Sequence, residues 1–135
     1  MTQEDRFRAY MAAFNAHDWA NLLPHYAPDV RLTIGNGTEL VGRDAIVRFY
    51  SKVIAETCRT IEIKQCFVDG QMLAAELESE FLAIADAPDF AVRPMHKGDR
   101  FYINSFVIYE FEGDQYTRIR SAVFRHEYRP LGQDF

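Results

Sequence analysis

The stretch from Ala9 to Tyr50, AYMAAFNAHDWANLLPHYAPDVRLTIGNGTELVGRDAIVRFY, decides the fold. With Phe7 just upstream, Tyr10, Met11 and Phe14 fall at i, i+3, i+4 and i+7, one apolar face of a helix. Glu4, Asp5 and Arg8 lie outside that face. Thr2 suits the N-cap, Glu4 and Asp5 suit the positive first turn, and the helix should end near Asn15–His17. Asp18 then caps a second helix in which Trp19, Leu22, Leu23 and Tyr26 repeat the spacing. Pro24 lies inside it, so that helix must be short, kinked or partly 3-10. Pro28-Asp29 closes the segment, and Val30–Ile34 reads as a strand. Gly35-Asn36-Gly37 gives a turn and Thr38–Val41 the returning strand. Gly42-Arg43-Asp44 opens a third helix, with Ile46, Phe49, Tyr50, Val53 and Ile54 as its buried stripe.

Beyond Thr57 the pattern changes period from helix to strand. Between Arg59 and Val68, Ile61, Ile63, Gln65 and Phe67 alternate with Glu62 and Lys64. Asp69-Gly70 is a two-residue hairpin signal. In the next strand Leu73, Ala75, Leu77 and Phe81 share one face, and Glu76, Glu78 and Glu80 the other. Asp86–Asp99 is the longest irregular stretch, broken by Pro88, Pro94 and Gly98. A second long hairpin, Arg100–Glu112 and Gln115–Tyr128, turns at Gly113-Asp114. Its first strand is apolar on both faces: Ile103, Val107, Tyr109 and Phe111 on one, Tyr102, Phe106 and Ile108 on the other. A sheet that lines a core on one side normally shows polar residues on its other side. A second copy of the chain is the simplest cover, so a homodimer through the outer sheet face is expected.

Composition sets the outer limits. The chain has 135 residues, suited to one domain. Eleven Phe and seven Tyr can wall a pocket or fill a core. The net charge of −5 and scattered Lys and Arg argue against nucleic acid. No segment approaches the ~18 apolar residues of a membrane span. The opening, MTQEDRFRAY, lacks the basic stretch and apolar run of a signal peptide. Cys58 and Cys66 lie on one strand at ~26 Å, too far for a disulfide, so free thiols and a cytoplasmic location are expected. Three helices followed by long antiparallel strands must bury one sheet face on the helices, leaving a cavity between them.

The quoted stretch also holds N-A-x-D, then F/Y-A-x-D-V, then G-R-x-A-I-x-x-F/Y, and the chain closes with KGDRFYINSFVIYEFEGDQYTRIRSAVF. In these elements it resembles the nuclear-transport-factor-two-like superfamily, in its ketosteroid isomerase and SnoaL-like branches. The resemblance implies an α+β, cystatin-like cone: three N-terminal helices on a strongly curved, mixed, mainly antiparallel sheet. Residues 1–130 would form the single SnoaL-like domain and 131–135 a loose C-terminal tail.

The resemblance places an oxyanion-donating tyrosine of the isomerase at Tyr10, with Tyr26 and Tyr50 as linked phenols. Linked hydroxyls polarise one another, and a phenol aimed at a carbonyl in a dry pocket stabilises an enolate. All three tyrosines also fit a plain core stripe. The isomerase base falls at Thr33-Ile34, neither able to take a proton at neutral pH. Its second donor falls near Ser105 or Val107, and an aromatic pocket position falls at Phe124. The SnoaL cyclase aspartate has no counterpart between Thr117 and Pro130, where Glu127 is the sole acid.

His96, in the long loop, is the expected base, with Glu80 in reserve. Phe14, Trp19, Tyr26, Thr33, Tyr50, Asn104, Ser105, Val107 and Phe124 are the expected binding residues. Of the Asn104-Ser105 pair, one must face inward. Whether Arg118 and Arg120 face the pocket or pair with the outer glutamates stays open, and a bulge would decide it. His17, His25 and His126 show no metal-ligand spacing, and neither metal nor cofactor is expected. The expected activity is isomerisation, dehydration or cyclisation of a small apolar cyclic carbonyl or hydroxyl compound. The alternative is a non-catalytic ligand-binding or dimerisation module on the same fold.

Overall fold

The computed structural model describes residues 1–90 and 92–132. Helix α1 spans Gln3–Asn15. Thr2 Oγ1 accepts from the Asp5 amide at 3.1 Å and the Asp5 carboxylate accepts from the Thr2 amide at 3.0 Å, a reciprocal cap. At the other end the Asn15 side chain pins α1 to the sheet: Nδ2 donates to the Ile61 carbonyl and Oδ1 accepts from the Ile61 amide. Asp18 caps α2, Trp19–Leu22, and Pro24 turns the chain into a 3-10 segment, Leu23–His25. Helix α3, Arg43–Glu56, starts after Gly42, whose φ of 86° suits glycine.

Six strands form one sheet in the order β2-β1-β6-β5-β4-β3. They are β1 (Tyr26–Thr33), β2 (Glu39–Val41), β3 (Thr57–Asp69), β4 (Met72–Ala83), β5 (Arg100–Glu112) and β6 (Gln115–Arg129). β1 pairs with β6 in parallel and all other pairs are antiparallel, so the sheet is mixed as expected. It curls around the helices without closing. Phe7, Met11, Ile46 and Val53 of the helices meet Leu73, Leu77, Val107 and Ile119 of the sheet in one core.

Three features depart from strict alternation. β1 starts at Tyr26 and runs through Pro28-Asp29, which sits in an irregular stretch of the ladder with β6 where a missing N–H is tolerated. In β3 a register shift between Ile63 and Gln65 reverses the phase. Gln65 and Phe67 therefore do not share the face of Ile61 and Ile63: Phe67 is 64% exposed. In β6 two shifts, opposite Glu110/Phe111 and Asn104/Ser105, decide the arginines. Arg118 and Arg120 face outward beside Glu110, at 3.9 and 3.6 Å, not beside the glutamates of β4.

The long loop is packed. Ala87 and Met95 bridge, Phe90 is buried on Phe81, and Asp86 accepts from the Lys97 amide. Asp99 is buried and accepts from Tyr128 Oη at 2.6 Å, the His96 amide at 2.8 Å and the Leu131 amide at 2.9 Å. The start of the expected loose tail is therefore tied down at Leu131, and 133–135 lie outside the described residues. Cys58 and Cys66 are both free. No helix among the described residues is long and apolar enough to cross a membrane.

Candidate functional site

Between the helices and the concave face of the sheet lies a cavity of about 360 Å³. Tyr10, Met11 and Phe14 of α1 and Phe49, Tyr50 and Val53 of α3 form one wall. Arg59, Ile61, Leu77, Ser79 and Phe81 of β3 and β4 form a second. β5 and β6 supply Ile103, Ser105, Val107, Tyr109, Ser121 and His126, and exposed Asn36 and Val92 stand at its rim.

Tyr10 is a phenol in the wall of this cavity. Its hydroxyl lies 2.9 Å from that of Tyr26, which is wholly buried behind it. Edge-on contacts to Tyr26, Tyr109 and Tyr116, at 5.6, 6.0 and 5.1 Å between ring centres, hold the Tyr10 ring in place. Burial is the main cause that drives the Tyr10 and Tyr26 phenols far above the ordinary tyrosine value. Both therefore stay protonated through the whole physiological range. Either hydroxyl can donate to the other, and when Tyr26 donates the Tyr10 proton is free for an oxygen in the cavity.

The expected three-phenol chain is realised in two of its members. Tyr50 lines the cavity and meets Phe14 edge-on at 5.0 Å, but its hydroxyl has no hydrogen-bond partner among the described residues. Tyr109 and Tyr116, which sequence reasoning did not single out as site residues, complete the cluster instead. Burial pushes both phenols up as well, and the Tyr116 hydroxyl is buried with no partner among the described residues.

Phe14, Ser105 and Val107 also line the cavity. Asn104 does not: alternation along β5 turns it outward, where it donates to Glu78 and accepts from Arg125, each at 3.0 Å. Phe124 does not either. The bulge opposite Asn104/Ser105 puts it on the outer face, half exposed and stacked on Phe106 at 4.3 Å. Trp19 lines a small neighbouring recess with His17, Leu22 and Ile54. Thr33 is not a lining residue, whereas its neighbours Leu32 and Ile34 are. His96 is exposed on its loop and away from the cavity. Glu80 sits on the outer face, where it accepts from Tyr102 at 2.7 Å.

The bulge that expels Phe124 brings in His126. Its imidazole stacks on Phe101 at 6.0 Å and lines the cavity. No carboxylate among the described residues lines it. Arg59 also enters from β3, a position legible in its alternation with Ile61 and Ile63. Among the described residues no cluster of His, Cys, Asp and Glu is placed to hold a metal ion.

The curled sheet and three helices enclose a mainly apolar cavity, the architecture of a cone-shaped α+β domain. The SnoaL-like domain family matches residues 7–119, and the chain belongs to that family. No curated protein matches the sequence. Among solved structures, a candidate polyketide cyclase from Xanthomonas campestris pv. campestris superposes with a TM-score of 0.76 at 20% identity, over 88% of this chain and 87% of that one. A computationally designed 17-OHP binder gives 0.71 at 18% identity, over 91% and 95%. TerC co-crystallised with polyporic acid gives 0.70 at 15% identity, over 89% of each chain. At these identities the likenesses carry the fold.

Proposed function

We propose that this chain is a cofactor-independent enzyme of cyclase, isomerase or dehydratase type acting on a small apolar cyclic carbonyl or hydroxyl compound. The hydrogen-bonded Tyr10–Tyr26 pair in the cavity wall carries the reading. A substrate carbonyl takes the Tyr10 proton as a hydrogen bond. His126, in place of the expected His96, lines the same cavity from its place opposite Ile103 and removes a proton from a carbon conjugated with that carbonyl. The electron pair moves onto the oxygen, the enolate is held by Tyr10, and the imidazolium returns the proton at another carbon. Relatives of the same fold named as a candidate cyclase and a designed 17-OHP binder, and one crystallised with polyporic acid, support a cyclic ligand. The free cysteines suit a reducing, cytoplasmic compartment.

The test uses 2-naphthol as the oxyanion mimic. Tyr10→Phe should weaken its binding tenfold or more with the fold unchanged, measured by fluorescence titration. Unchanged affinity overturns the donor role. The absence of a lining carboxylate favours a second reading, a ligand-binding module without turnover. His126→Ala separates the two: loss of turnover with affinity kept marks the enzyme.

A further inference from the structure

On β3, Thr57, Arg59 and Ile61 alternate toward the helices, and Arg59 is thereby built into the cavity wall. Its guanidinium carbon stands 4.7 Å from the ring centre of Phe81, 5.4 Å from Phe14 and 5.6 Å from Tyr50. Nη2 donates to Ser79 Oγ at 3.2 Å, and Nε is buried with no hydrogen-bond partner among the described residues. The ion pairs found among the described residues all involve other groups.

A guanidinium has five N–H donors in a rigid plane. The aromatic faces stabilise the charge, as cation–π contacts do, but they leave most of these donors unused. An arginine drawn into an apolar wall is ordinarily matched by an acid. Here the protein supplies none among its described residues. The chain as a whole carries −5, yet the formal charge lining its cavity is positive. Half-buried Arg59 lines a space of about 360 Å³ with mainly aromatic and aliphatic walls, open to an anion that arrives from outside.

We propose that Arg59, with Ser79 beside it, is the subsite for an acidic group on the ligand. The ligand class is a small aromatic or polycyclic acid, carrying a carboxylate or an ionised enol that the planar fork grips with two N–H groups. This rests on the cavity being the ligand site, as proposed above, and narrows the substrate within it.

A matched pair of probes tests it: 2-naphthoate and neutral 2-naphthamide, titrated calorimetrically at pH 7.5 against the wild type, Arg59→Gln and Arg59→Lys. The wild type should bind naphthoate at least tenfold more tightly than naphthamide. Arg59→Gln should remove that preference by weakening naphthoate tenfold or more and naphthamide less than threefold. Should Arg59→Gln not fold, Arg59→Lys, which keeps the charge and loses the fork, should weaken naphthoate at least threefold and leave naphthamide unchanged. Equal wild-type affinity for both probes, or equal weakening of both by the variants, overturns the subsite while the cavity stands as a ligand site. Failure of the wild type to bind either probe overturns the subsite and the proposed function together.

Discussion

The Tyr116 hydroxyl has no hydrogen-bond partner among the described residues, and the residue is 3% exposed and packed on Tyr10 and Tyr109. A buried polar group left unpaired costs about 1–3 kcal/mol, so replacing it with an apolar group of the same shape should be neutral or stabilising. Tyr116→Phe is expected to raise unfolding stability by up to about 1 kcal/mol in urea, and a loss of more than that would show that the hydroxyl has an ordered partner. Tyr10 differs because its hydroxyl is paired. Its place on the inner face of α1 was legible in the i, i+3, i+4 spacing with Phe7 and Phe14, and its donor role followed from the resemblance. Arg59 was equally open to alternation with Ile61, yet a lone cation in a strand is usually a solvated face, and its distance from any acid is a property of three dimensions. His126 and Phe124 were misplaced for another reason. Their orientation hangs on one extra residue in β6, and nothing in the local sequence announces it.

Among the elements, the loop between β4 and β5 shows how irregular chain is held. Asp99 gathers His96, Tyr128 and Leu131 around one buried carboxylate. Burial opposes its ionisation, but the hydrogen bonds from Tyr128, His96 and Leu131 outweigh that and hold its pKa below the ordinary aspartate value. A carboxyl lowered in the folded state contributes stability above its unfolded pKa and loses it as pH falls through the folded one. Asp99→Asn should therefore cost about 2 kcal/mol at pH 7. The difference from wild type should begin to shrink below about pH 4 and disappear only as the pH falls through the lowered folded value, read from thermal melts across pH. A gap that persists unchanged at low pH would show that shape, not charge, sets the cost. The helices, the two tight hairpins and the four long strands were visible in period and turn residues alone. The phase within β3 and β6 was not, because a bulge answers to the neighbouring strand and not to its own sequence.

For the whole molecule, the outer sheet face carries Glu76, Glu78 and Glu80 on β4 and Arg118, Arg120 and Arg125 on β6, with the Phe106–Phe124 stack between. Phe106 and Phe124 are 53% and 50% exposed. A two-fold axis through β5 would set the acidic row of one copy over the basic row of the other and bury the four phenylalanines at the centre. We propose that a second copy of the chain covers this face. Light scattering at micromolar concentration should give the mass of a dimer, and Phe106→Glu should give that of a monomer. A monomeric wild type would refute the pairing.

The parallel pairing of β1 with β6 has a further consequence, for synthesis. β6 lies between β1 and β5, so an early strand gains its central neighbour only when residues some ninety positions later have left the ribosome. Until then β1 lacks its parallel neighbour and Tyr10 lacks the Tyr116 ring it packs on, so the nascent chain leaves apolar surface in water. Such long-range closure folds slowly and late. A chain arrested before β6 would hold most of the helices and strands and none of the finished chamber.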